Sequence, residues 1–156
     1  MTTTIFLIIH GLLAVALLGA ITHQTASVWL PARKPAGSFV GRFRAVHGAG
    51  YANAVIVLYV CTSILGGTMI YPEFRVGVRP ALEQLDMWKA LGAFDLKEHF
   101  TMIGVAILPA YWHFWRQPQA NEHAGTRAAL TALLAFIVWW NFLVGHILND
   151  MRGFGT

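Results

Sequence analysis

Charge is scarce in this chain. Only 12% of its 156 residues are Asp, Glu, Lys or Arg, against about a quarter in an ordinary soluble domain. A surface with so little charge is not mainly meeting water. Cysteine is scarcer still: Cys61 stands alone. One thiol excludes an intramolecular disulfide, and inside an apolar run it reads as buried and inert. No basic block alternates with aromatic residues, so nothing indicates a nucleic-acid partner. There is no HExxH spacing for a tightly held metal, no CxxCH for covalent haem and no glycine fingerprint for a flavin. The chain therefore does not take electrons from NADH through a nucleotide site of its own. The first residues, Met1-Thr2-Thr3-Thr4, carry no positive charge. The apolar run behind them is too long for a signal peptide and reads as a spanning helix.

Hydrophobic residues are plentiful, at 56% of the chain. A membrane span needs about 20 mostly apolar residues, and four segments qualify: 5–30, 43–71, 96–115 and 127–148. Pro31 and Pro72 mark the ends of the first two. Backbone amides in lipid must be paired within their own segment, so the segments are helices. Short connections before the second and fourth make successive helices antiparallel neighbours. The fold expected is all-α, a single transmembrane up-down four-helix bundle over residues 1–156. It places an integral, multi-pass protein in a bacterial inner (plasma) membrane. Residues 71–95 are expected as a loop. Within it, Leu82, Leu85, Trp88 and Leu91 recur every three residues, which fits a short amphipathic helix at the membrane interface.

Seven histidines are present. His123 lies in a polar loop and the other six fall in the spans. Ionisable residues at that depth are costly and commonly functional. Antiparallel threading sorts the six into two tiers. His10, His99 and His146 lie toward one membrane side; His23, His47 and His113 lie toward the other. Fourteen residues separate His99 from His113. That is a rise of roughly 21 Å with only about 40° of rotation left over, so both leave nearly the same helix face. His10 and His23 are thirteen apart, about 140° out of alignment, so one of them is secondary. Paired imidazoles at two depths suit haem, whose iron takes an axial ligand on each side. Glycines beside the histidines, as in His10-Gly11, His47-Gly48 and Gly145-His146, clear room for a flat macrocycle. A non-haem iron, zinc or copper site is the alternative, as a membrane enzyme or transport site. It would set His10, His99 and His146 near Glu73, Asp95, Glu98 and Asp150.

A histidine early in the first helix, one early in the second, and a pair fourteen apart on a later helix resemble the four-helix di-haem b-type membrane cytochromes. The resemblance covers the four spans and implies two haem b groups. By position it pairs His10 with His99 and His47 with His113, leaving His23 and His146 as alternates or as contacts for substrate or propionate. In the nearest such family the histidine pair stands on the fourth helix; here it stands on the third. Arg75 and Arg79, with Lys97, lie toward the first tier, and Arg42 and Arg44 toward the second. Arginine grips carboxylates in a bidentate fork, so these side chains are candidates for haem propionates. The function expected is transmembrane or quinone-linked electron transfer. An oxidoreductase role would be linked to quinone, oxygen or superoxide. The partners this reading admits are the lipid bilayer, a quinone, a respiratory-complex subunit and a second copy of the chain. A membrane-anchor subunit without haem is the remaining reading.

Overall fold

The computed structural model describes residues 2–30, 39, 48–117 and 121–151. Every regular element among them is helical. Helix α1 is Thr2–Trp29. Helix α2 opens as Gly48–Leu65 and continues unbroken to residue 84. Helix α3 is Trp88–Arg116 and passes through Pro109. A single 3₁₀ turn, Asn121–His123, leads into α4, Ala124–Met151.

The second helix does not stop at Tyr71, and the third starts before Leu96. The expected loop over 71–95, with its interfacial helix at 81–91, is instead the end of α2 and the start of α3. The prolines explain why the pattern misleads. A proline ring clashes with the carbonyl four residues back. Here two wide π-helical turns, Gly66–Ile70 and Phe74–Val78, each end two residues before a proline, Pro72 or Pro80. The wider turn moves that carbonyl aside, and the helix passes both prolines.

Helix α2 ends in a left-handed cap. Asp86 has φ 53°. Its N–H donates to the Glu83 carbonyl at 3.1 Å, and the Met87 N–H donates to the Leu82 carbonyl at 2.9 Å. This is the Schellman pattern, with the usual contact of Met87 on Leu82. The left-handed region costs a side-chain-bearing residue roughly 1–2 kcal/mol. Asp86→Gly is therefore expected to raise Tm, and Asp86→Val to lower stability by about 1 kcal/mol or more. Thermal unfolding of the purified protein in detergent checks both. Beyond the turn the two helix ends lie together. Phe74 stacks on Phe94 with ring centroids 3.7 Å apart, and Arg79 bridges Glu83 at 3.1 Å and Asp95 at 3.0 Å.

The four helices close a ring: α1 packs on α2 and α4, and α3 packs on α2 and α4. Contacts pair early residues of one helix with late residues of the next. His10 lies against Gly66 while His23 stacks on Tyr51. Lys97 lies near Gly145 while Trp115 meets Thr131. An inward seam repeats at alternating three- and four-residue steps, as in a coiled coil. On α1 it is His10, Ala14, Leu17, Ile21 and Gln24. On α3 it is Lys97, Thr101, Gly104, Leu108, Tyr111 and Trp115. On α4 it runs Arg127, Thr131, Leu134, Val138, Asn141, Gly145 and Leu148.

The outer faces are apolar. Ile8 and Leu12 on α1 are 59% and 67% exposed, as are Val57 and Ile64 on α2 at 59% each. A water-soluble bundle would turn such residues inward; lipid tails suit them. Among the described residues, three helices are long and apolar enough to cross a membrane: Thr3–Trp29, Gly50–Gln84 and Ala124–Met151. The third expected span does not reach the same measure. Helix α3 carries Lys97, Glu98 and His99 near one end and Tyr111, Trp112, His113 and Trp115 near the other. Cys61, expected to be buried, is exposed among the outward residues of α2.

Candidate functional site

The two halves of the ring are built differently. One half is solid. Leu17, Ile21, Val55, Tyr59, Leu108, Tyr111, Leu134 and Ile137 form its core. Within it the Tyr111 hydroxyl donates to the Gln24 side-chain carbonyl, and the Trp115 indole donates to Thr131 Oγ1 at 3.3 Å. The other half is hollow. A cavity of about 600 Å³ opens between all four helices, within the roughly 300–1,000 Å³ usual for small-molecule and cofactor sites.

Two histidines stand on the cavity wall, His10 from α1 and His146 from α4. Glycines surround them: Gly11, Gly66, Gly67 and Gly145 all line the same space. At Gly66 the missing side chain is decisive. A Cβ there would lie 2.9 Å from His10 Cε1, so any side chain at residue 66 would make the imidazole shift. His146 is more open. Its side chain is 67% exposed, its Nε2 is 3.8 Å from Asp150 Oδ2, and its ring stacks parallel to Phe142.

The remaining polar groups on the wall come mostly from the seams. Asn141 Nδ2 donates to Thr101 Oγ1 at 3.0 Å, Thr101 Oγ1 donates to the Lys97 carbonyl at 2.9 Å, and the Tyr59 hydroxyl donates to the Thr101 carbonyl at 3.1 Å. Three buried atoms of wall residues have no hydrogen-bond partner among the described residues: His10 Nδ1, Thr62 Oγ1 and Asn141 Oδ1. Each such atom costs about 1–3 kcal/mol if it stays unmatched. Three of them around one space, on α1, α2 and α4, equip it for a ligand with polar groups. Lys97 and Glu98 also line the wall.

The other sequence candidates lie elsewhere. His99 is exposed, off the cavity wall, with Nδ1 donating to the Asp95 carbonyl at 2.8 Å. His113 is exposed beside Gln117, at 3.2 Å. The two do share a face, as their spacing requires, and that face is the outer one. His23 is half-buried and stacks on Tyr51, ring centroids 4.3 Å apart. Arg79 is held by Glu83 and Asp95, Arg75 is exposed, and neither lines the cavity. His47, Arg42 and Arg44 lie outside the described residues. Among the described residues no three His, Cys, Asp or Glu side chains gather as a metal-holding group. The residues that sequence reasoning left in the background are Thr62, Thr101, Asn141 and Gly66. The three-four seam carries Thr101 and Asn141 and was readable in the sequence. Compared with known protein families, curated proteins and solved structures, the chain gives no match.

Proposed function

We propose that this chain is an up-down four-helix protein, multi-pass in a bacterial inner membrane, that holds haem b in its cavity and carries electrons within the bilayer. The early-to-late contacts between successive helices support the topology. The apolar outer faces support the setting. One observation carries the cofactor reading: two imidazoles from different helices, His10 and His146, stand on the wall of one glycine-cleared cavity of cofactor size.

His10 and His146 would hold the haem iron, which exchanges His99 of the sequence pairing for its alternate. Bound haem b supplies a one-electron iron couple whose potential follows axial ligation, burial and nearby charge. The chain's own residues do the rest. Gly66 leaves room for the His10 ring beside the α2 backbone. Leu7, Leu17, Ile70, Phe74 and Met102 give the wall its apolar lining and limit water, which raises the weight of each nearby charge. Electron exchange from this depth suits a membrane quinone or a neighbouring subunit of a respiratory complex.

The second haem of the two-tier reading would draw on His23, His47 and His113. At that level Tyr111, Gln24, Trp115 and Thr131 fill the space between helices, so the proposal is for one haem per chain. A pyridine haemochrome assay on protein purified with haem supplied is expected to give about one haem b per chain, with an intense Soret band. Two per chain would restore the paired-tier reading. No Soret band after reconstitution would refute haem binding altogether.

A further inference from the structure

Lys97 occupies a seam position on α3, and its side chain lines the cavity. Its stem passes the α4 backbone at Gly145, where an added Cβ would lie 3.4 Å from Lys97 Cε. Its ammonium sits 5.2 Å from the centroid of the Phe94 ring, a cation–π contact that helps hold it there. The neighbouring cation Arg79 is already held by Glu83 and Asp95. Lys97 has no carboxylate at ion-pair distance among the described residues. Glu98 lines the same wall, but successive helical residues point about 100° apart, and the two side chains do not pair. A cation at this depth is costly unless an anion meets it.

We propose that the cavity receives an amphipathic carboxylic acid, with its apolar body between the helices and its carboxylate on the Lys97 ammonium. Two features select this class. The wall beyond the polar patch is apolar, built from side chains such as Leu7, Leu17, Ile70 and Met102, so the body must be apolar too. The charge available is one lysine opposed by one nearby glutamate, which matches a single carboxylate better than a doubly charged phosphate. Under the haem reading, on which this deepening rests, the carboxylate is a propionate. A free fatty acid carries the same chemistry.

The test uses the full chain in nanodiscs of neutral lipid. Haemin and haemin dimethyl ester are titrated by their Soret bands, and oleate and oleyl alcohol by calorimetry. Wild type is expected to bind the free acid about tenfold or more tighter than its ester or alcohol, in line with the strength of charge-assisted hydrogen bonds. Lys97→Gln should level the two affinities, Lys97→Arg should keep the preference, and Glu98→Gln should keep or enlarge it. Equal affinity of wild type for acid and neutral analogue in both pairs would overturn the inference, a comparison that needs no variant to fold. Undiminished preference in Lys97→Gln would do the same. Haem bound without acid preference leaves the haem reading standing and removes this one. Oleate preferred through Lys97, with no haem uptake, keeps this inference and removes the haem reading.

Discussion

His10→Ala abolishes haem binding, and His99→Ala leaves it at the wild-type level: that contrast is the expected result of titrating both variants with haemin. Substitutions that only orient a metal ligand cost about 10–100-fold in affinity, so removal of a residue that would hold the iron should exceed a hundredfold. The contrast follows from rotation about the helix axes. His10 lies on the inward seam of α1, one side of its ring against Gly66. His99 is two residues from Lys97 on α3, roughly 200° around the helix. When Lys97 faces the cavity, His99 must face out, and it does so with its Nδ1 on the Asp95 carbonyl. His146→Ala should behave like His10→Ala. Gly66→Ala should behave as a milder form of it, since a Cβ 2.9 Å from the ring turns the imidazole without removing it. A shifted Soret maximum with intact thermal unfolding would be its signature. Equal haem loss in His10→Ala and His99→Ala would return the pairing to the one implied by histidine spacing.

Helical periodicity made part of this legible in advance. The all-helical fold and its four helices follow from apolar runs and short connections. The outward turn of His99 and His113 also follows from the sequence, but only through the seam. Lys97, Thr101, Gly104, Leu108, Tyr111 and Trp115 form an unbroken three-four series, and histidines catch attention more readily than that series does. Fourteen-residue spacing fixes two side chains to one face without saying which face. The path through 71–95 was hidden for a different reason. Pro72 and Pro80 are sound stop signals for an α-helix, and a π-helical turn that accommodates proline leaves no mark in the hydrophobic pattern. The cavity was hidden for a third reason. An empty space is defined by the side chains that four helices fail to supply, and no single segment records it.

The solid half and the hollow half meet at Tyr59, which belongs both to the core cluster and to the cavity wall. That position makes Gly104→Ala a strongly damaging substitution for the fold. Tyr59 is 2% exposed and its hydroxyl donates to the Thr101 carbonyl. Its phenol lies directly over the α3 backbone at Gly104. An alanine Cβ there would overlap the hydroxyl oxygen and lie 2.5 Å from Cζ. The ring is packed on its core side and can yield only toward the cavity, so either it gives up the Thr101 carbonyl or α2 and α3 part. Overpacking of this kind costs typically 1–3 kcal/mol, and the upper end, about 3 kcal/mol, is expected because the clash reaches the ring carbon as well as the oxygen. The partner residue supplies the control. Tyr59→Phe in the Gly104→Ala background removes only the oxygen, leaves Cζ in place and should recover little. Tyr59→Leu shortens the side chain and should recover most of the loss, although each substitution alone destabilises. Thermal unfolding of the four variants in detergent measures the coupling, which should be strongly favourable for the leucine pair and weak for the phenylalanine pair. Simple additivity in both pairs would mean that α2 and α3 do not approach at this point. The hydrogen-bonded floor of the cavity, built on the Thr101 carbonyl that Tyr59 holds, would then need another support.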